Sequence, residues 1–232
     1  MEQKNRGKAV IFDMDGVIFD SERLVIDCWK VVADKYGIPD IESVCYQCMG
    51  LTYEATERVY RRRYGDAYPY ERYKQEVSDL FHARYDGGRL PTKPYVREIL
   101  GWLQEKKVPV ALASSTRLAS VRQELDEAGL LPFFQVVKGG DDVVHGKPAP
   151  DIFLLAADQL GFPPADCFVL EDSPNGIRAA AAAGMHPIMI PDLQVPGKEM
   201  HHLAEIIVRD LHEAQTYLAP RLGKKAGASV LP

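Results

Sequence analysis

Six polar residues in this chain have the types and positions to do chemistry together: Asp13, Asp15, Ser114, Lys147, Glu171 and Asp172. Each follows a short apolar run or sits in a Gly/Pro-bounded loop just before a helical pattern. Asp13 and Asp15 are two apart in Asp13-Met14-Asp15-Gly16, so both carboxylates can reach one ligand from a tight loop, and Gly16 lets that loop fold closely. Glu171 and Asp172 are adjacent in a second acidic step. Four carboxylates in one crevice would repel each other and raise their own pKa values. A hard divalent cation relieves that repulsion, and oxygen-only donors favour Mg²⁺ over zinc or copper.

The elements that must position these residues are readable from apolar patterning. Residues 8–12, 108–113, 135–138, 167–170 and 187–190 are short apolar runs of the kind buried on both faces of a sheet. Helical patterns over 117–128, 151–160 and 174–183 end at Gly129, Gly161 and Gly184, where left-handed C-terminal caps belong. Ser173-Pro174 is an N-cap and first-turn pair. Alternation of this kind predicts an α/β fold, a doubly wound parallel sheet of Rossmann type, whose ligands bind outside the carboxyl ends of the strands.

One interval breaks the alternation. Between the first strand and a helix near 93–106 the chain reads as helices over 21–36, 52–64 and 70–85. The expected organisation is an α/β core formed by 1–20 and 90–219, an inserted helical cap domain over 21–89, and a disordered tail over 220–232. Tyr53, Tyr60, Tyr64, Tyr68, Tyr70, Tyr73 and Tyr85 fall in or beside the inserted helices and are expected to pack them. Length agrees, since 232 residues at roughly 150 per domain is about one and a half domains.

Composition removes several classes. Apolar residues at 46% and charged residues at 26% describe an ordinary globular chain. The net charge of -5 argues against broad nucleic-acid binding, which needs a basic field. No run approaches the ~20 apolar residues that span a bilayer. The polar first six residues are no signal peptide, so the expectation is a cytoplasmic protein, a monomer or weak dimer. Cys45 and Cys48 form one C-x-x-C without the further ligands of a zinc site or the βαβ setting of a redox motif, so packing explains them best.

Four segments occur in order: D-M-D-G-V at 13–17, L-A-S-S-T at 112–116, G-K-P-A-P-D at 146–151 and E-D-S-P-N-G-I at 171–177. Together they strongly resemble the haloacid dehalogenase-like hydrolase superfamily, in the branch that holds β-phosphoglucomutase and small sugar-phosphate phosphatases. The resemblance covers about residues 7–218. It implies a phosphatase acting on a small phosphorylated metabolite through an aspartyl-phosphate. Asp13 would be the nucleophile and Asp15 the general acid and base. Ser114 and Lys147 would hold the transferring phosphoryl group, with Ser115 and Gly16 also in the phosphate-binding loops. Ser115 or Thr116 would cap the helix that follows. Mg²⁺ would be bound by Asp13, the Asp15 carbonyl and Asp172, with Glu171 either a ligand or a group that orients Lys147. Asp20, Asp141, Asp142 and Asp151 read as loop and cap residues. The alternative within the resemblance is a β-phosphoglucomutase-like mutase. Such mutases carry a histidine where this chain has Val25, and a basic residue after the hinge glycine, near Tyr53 when Gly50 is that glycine. Both departures favour the phosphatase. Glu22, Gln47, Thr52 and Lys74 are the cap residues that could face the crevice, though each also reads as ordinary surface.

Overall fold

The computed structural model describes residues 7–49 and 53–222, the side chains of 53–55 aside. Six strands form one parallel sheet in the order β3-β2-β1-β4-β5-β6. They are β1 (Ala9–Phe12), β2 (Val110–Ala113), β3 (Val136–Lys138), β4 (Cys167–Glu171), β5 (His186–Met189) and β6 (Ile206–Ile207). Every residue of β1 is fully buried, because the strand alternates between two cores. Val10 and Phe12 face one side with Ile99, Val121 and Leu218. Ala9 and Ile11 face the other with Phe153, Ala156, Ala179 and Ala180. The first core is closed by α5 (Val96–Glu105), α6 (Leu118–Glu127) and α10 (Leu211–Leu222). The second is closed by α7 (Asp151–Leu160) and α8 (Pro174–Ala182). A sheet covered on both faces needs unbroken apolar strands, which is why the strand signals read as continuous runs.

Helix ends follow the glycines. Gly129, Gly161 and Gly184 all take positive φ, at 65°, 76° and 72°. Ser173 caps α8, its Oγ accepting the Gly176 N–H at 3.1 Å. The capping of α6 differs from expectation. Neither Ser115 nor Thr116 caps it; Arg117 is the N-cap residue without a side-chain bond, and the carboxylate of Asp141 accepts the Leu118 N–H at 2.7 Å. The reason is competition, because Thr116 Oγ1 is committed to Asp15. Short elements were also missed. The strand β6 and the helix α9 (Met200–Leu203) carry too few residues for a period to show. The helix α10 runs through Pro220 to Leu222, and 223–232 lie outside the described residues.

Between β1 and α5 the chain forms four helices, α1 (Ser21–Tyr36), α2 (Ile41–Cys48), α3 (Tyr53–Tyr64) and α4 (Tyr70–Tyr85). The sequence reading overlooked α2. These helices share a core of their own around Trp29, Val32, Val44, Tyr60, Tyr68, Tyr70 and Val77. The outgoing and returning connections lie side by side: Phe19 bridges Thr92, Asp20 N–H donates to Pro91 O, and Lys93 N–H donates to Ile18 O. Lys93 Nζ then bonds Asp192 Oδ1 at 2.7 Å in the loop after β5, and the neighbouring Leu193 packs against the helical core. Among the described residues no helix is long and apolar enough to cross a membrane.

Candidate active site

Strand order reverses at β1, whose neighbours are β2 and β4, so the crevice for ligands opens at the carboxyl ends of β1 and β4. Asp13 follows β1, Glu171 ends β4, and Asp172 follows it. The Asp13 N–H donates to Leu170 O at 2.9 Å, which continues the β1–β4 pairing into the site. Carboxylate oxygens of Asp13, Glu171 and Asp172 lie within 4.8 Å of one another, and all three residues are buried.

Two glycines permit this crowding. Gly16 has φ +78°, and a Cβ there would stand 2.3 Å from Asp172 Oδ2. Gly176, in the first turn of α8, is tighter still, since a Cβ would stand 1.6 Å from Glu171 Oε1. The sequence reading singled out Gly16 but not Gly176; the E-D-S-P-N-G run was the signal for it.

The ammonium of Lys147 sits inside this acidic cluster. Lys147 Nζ donates to Asp13 Oδ1 at 2.5 Å, to Glu171 Oε1 at 2.9 Å and to Ala113 O at 3.2 Å. Its side chain is 6% exposed and crosses the Phe153 ring at 4.7 Å. Glu171 uses its second oxygen to accept the Ser173 N–H at 2.6 Å. Both Glu171 oxygens are thus engaged, one of them in holding Lys147. Burial would push the ammonium down, yet Asp13 and Glu171 outweigh it and hold Lys147 charged above its usual range. Burial raises the carboxyls of Asp13 and Asp172 well above the ordinary carboxylate range; Lys147 opposes this in both, and neighbouring acids add to it. This set of hard oxygen donors, with more negative charge than one lysine neutralises, fits a divalent cation held by Asp13 and Asp172.

Asp15 is held by hydroxyls. It accepts from Ser21 Oγ at 2.6 Å, from Thr116 Oγ1 at 2.9 Å and from Ser114 Oγ at 3.3 Å. Ser114 is fully buried, and its Oγ also accepts the Thr116 N–H at 3.0 Å. Ser115 lies on the cavity wall and is exposed. The contacts of Ser21 and Thr116 with Asp15 were not read from sequence, which gave Thr116 only the part of a helix cap. Ser21 could have been found in the D-S-E run at 20–22, where a hydroxyl opens the helix that follows the D-x-D loop.

A cavity of about 890 Å³ joins these residues to the four-helix insertion. Of the cap residues named from sequence, Glu22 lines it; Gln47 is exposed and bonds Ser43 instead. Lys74 is absent from the wall, and Gly50 and Thr52 lie outside the described residues, as does the side chain of Tyr53. Val25 also lines the cavity. Burial, followed by Asp15, Asp192 and Glu171, pushes the Glu22 carboxyl up to about 8. Cys45 and Cys48 lie on α2 as free thiols at the cavity, with Cys45 Sγ 3.4 Å from Tyr60 Oη. Asp20, Asp141, Asp142 and Asp151 are absent from the wall.

Residues 8–184 match the family model described as haloacid dehalogenase-like hydrolase. The chain is 35% identical over 205 residues to the probable pseudouridine-5′-phosphatase of Drosophila melanogaster, covering 85% of this chain and 87% of that protein. It is 31% identical to the β-phosphoglucomutase of Bacillus subtilis strain 168, over 78% of this chain and 82% of the other. A crystal structure of a HAD family hydrolase from Deinococcus radiodurans R1, with bound phosphate and sodium, superposes with a TM-score of 0.76 at 26% identity, covering 93% of this chain and 96% of the other.

Proposed function

The chain belongs to the haloacid dehalogenase-like hydrolase family and is an enzyme of the phosphoric monoester hydrolase class; from that footing we propose that it is a Mg²⁺-dependent phosphatase of a small phosphorylated metabolite, a sugar phosphate ester, working through an aspartyl-phosphate. The observation that carries the reading is the buried contact of Lys147 with Asp13 and Glu171, beside Asp172, where the strand order reverses. A phosphomonoester dianion repels an attacking carboxylate, and its uncatalysed hydrolysis is among the slowest reactions known, so positioning and charge neutralisation must dominate.

Lys147 holds the Asp13 carboxylate in one orientation and offsets its charge. The carboxylate attacks phosphorus, and the bond from phosphorus to the ester oxygen breaks. Asp15, held by Ser21 and Thr116, gives its proton to the departing oxygen. Water then attacks the aspartyl-phosphate, Asp15 takes the water's proton, and inorganic phosphate leaves with Asp13 restored. Mg²⁺, when bound by Asp13, Asp172 and the Asp15 carbonyl, would supply further positive charge beside the phosphoryl oxygens. Ser114, Ser115 and Gly16 would cradle those oxygens, and Glu171 would keep Lys147 in place. Residues 21–89 would act as a cap that excludes water from the crevice.

Return of the phosphoryl group to a sugar hydroxyl is the competing outcome, given the β-phosphoglucomutase relative. Val25 argues against it, because an apolar side chain stands on the cavity wall where the mutase histidine is expected. The test is phosphate release from a panel of phosphorylated metabolites, with Mg²⁺ and after chelation. Release is expected from the wild type with Mg²⁺ and none from D13N. Full Mg²⁺-dependent activity in D13N would overturn the mechanism. Conversion of β-glucose 1-phosphate to its 6-phosphate in the presence of a bisphosphate activator would favour the mutase.

A further inference from the structure

Asn175 lies in the first turn of α8, just past Asp172, and lines the same cavity as Asp13, Lys147 and Asp172. Its Oδ1 accepts from Arg178 Nη1 at 2.8 Å, one turn along the helix. A guanidinium carries donors and no acceptor, so the atom that meets it must be the amide oxygen. This fixes the amide: the carbonyl turns to Arg178, and Nδ2 turns away from it. Nδ2 has no hydrogen-bond partner among the described residues.

Arg178 is itself held. Its Nε and Nη2 donate to the two carboxylate oxygens of Glu199 at 2.8 and 2.6 Å, a fork that sets the plane of the guanidinium. Glu199 is the N-cap residue of α9, and the buried cluster of Ile177, Met189 and Met200 fastens α9 to α8 and β5. The side chains of Arg178 and Glu199 are 39% and 54% exposed, so the pair adds little to stability. What it supplies is direction for the amide of Asn175.

The cavity needs such a donor. Asp13, Asp15, Glu22, Glu171 and Asp172 all stand on its wall, and Lys147 is the single cationic side chain among the described wall residues. Lys147 already serves Asp13 and Glu171, and the hydroxyls of Ser21 and Thr116 already serve Asp15. A phosphate dianion entering here recovers the hydrogen bonds it made to water only where donors are still free. Asn175 carries the one side-chain amide of the described wall, and its Nδ2 offers two N–H bonds without adding charge.

We infer that Asn175 is a substrate-binding residue whose Nδ2 donates to a phosphoryl oxygen, and that Arg178, held by Glu199, is the positioning residue that keeps the amide turned toward the cavity. The inference rests on the phosphatase reading for the place of the phosphoryl group. It adds to that site a donor from α8 and the relay of side chains behind it.

The test is calorimetric titration of inorganic phosphate into the protein at saturating Mg²⁺. A hydrogen bond to a charged acceptor is worth about tenfold or more in affinity, so N175A and N175L are each expected to bind phosphate about tenfold or more weakly than the wild type. Their Mg²⁺ affinity without phosphate is expected to be unchanged. R178M is expected to weaken phosphate binding about threefold or more in the wild-type background and to have no further effect in N175A. General loosening of α8 would not produce that coupling, and thermal melts show whether each variant is folded. Wild-type phosphate affinity in both Asn175 variants, or additive effects of R178M and N175A, overturns the inference. A loss of Mg²⁺ affinity equal to the loss of phosphate affinity overturns it too, since the amide would then serve the cation. If the wild type hydrolyses phosphoesters while N175A and N175L bind phosphate as tightly as the wild type, the donor falls and the phosphatase reading stands. If both variants lose phosphate affinity but the wild type hydrolyses no phosphoester, the donor stands and the phosphatase reading falls.

Discussion

Replacing Lys147 by methionine keeps the apolar stem against Phe153 and removes the charge. The wild-type ammonium donates to Asp13 at 2.5 Å, to Glu171 at 2.9 Å and to Ala113 O at 3.2 Å, with side-chain exposures of 6%, 8% and 1% for Lys147, Asp13 and Glu171. Two buried carboxylates then lose their partner, and breaking a buried ion pair in this way costs about 3–5 kcal/mol. The loss depends on pH with a definite sign. Burial already lifts the Asp13 carboxyl above its reference value of 3.8, and Lys147 is the largest influence opposing that lift. Without Lys147 the folded-state value rises further above the unfolded one. A carboxyl of that kind binds more protons in the folded state, so stability falls as pH rises above the unfolded value. The deficit of K147M is therefore expected to be larger at pH 8 than at pH 5. Urea unfolding in the presence of a chelator, at the two pH values, measures it. A deficit below about 1 kcal/mol at pH 8, or a larger deficit at pH 5 than at pH 8, refutes the electrostatic account of this cluster. Phosphate release by K147M should fall by orders of magnitude at either pH.

Two further substitutions test how the neighbours are positioned. In a helix, Gly→Ala ordinarily stabilises by about 0.5–1 kcal/mol, but in G176A the added methyl meets Glu171 Oε1, so the melting temperature should drop and kcat should fall at least tenfold; a stabilised, fully active G176A would show that the seat of Glu171 is immaterial. S21A removes the shortest bond to Asp15 while leaving the phosphate-binding loops intact, and steady-state kinetics should show kcat reduced roughly 10- to 100-fold with KM little changed; a pure KM effect would place Ser21 with the substrate instead.

Much of the scaffold was readable because its signals are local. The strand β1 is four apolar residues that stop at Asp13, and such a run can only be buried on both faces. Ser21 to Tyr36 was delimited by Gly37, which takes the left-handed conformation as the C-cap of α1, and Tyr70 to Tyr85 by the Gly87-Gly88 pair, which follows the extended C-cap Asp86. The positions of Asp13, Lys147, Glu171 and Asp172 at strand ends and in a loop before a helix were visible for the same reason. The helix α2 was not, since eight residues with Cys45 and Cys48 at helical spacing look equally like a motif or a turn.

What distance along the chain hides is partnership. Lys147 meets Asp13 across 134 residues, and Thr116 meets Asp15 across 101. No periodicity links such pairs; β1 sits between β2 and β4 in the sheet, and this order brings the loops together. The place of Ser115 and Thr116 before α6 reads as helix capping, yet the Thr116 hydroxyl donates to the carboxylate of Asp15, and Asp141 arrives from another loop to accept the Leu118 N–H. The tyrosines of the insertion read as packing, which Tyr64, Tyr68 and Tyr73 bear out. Tyr60 and Tyr70 pack and also line the cavity, a distinction that depends on which face of each helix turns toward the sheet. Residue type and local spacing set the elements and their polar ends, because those depend on neighbours within a turn or two. Which polar ends touch, and which aromatic residues border the cavity, depends on the packing of the whole chain, because burial and pairing arise between residues that the backbone keeps far apart.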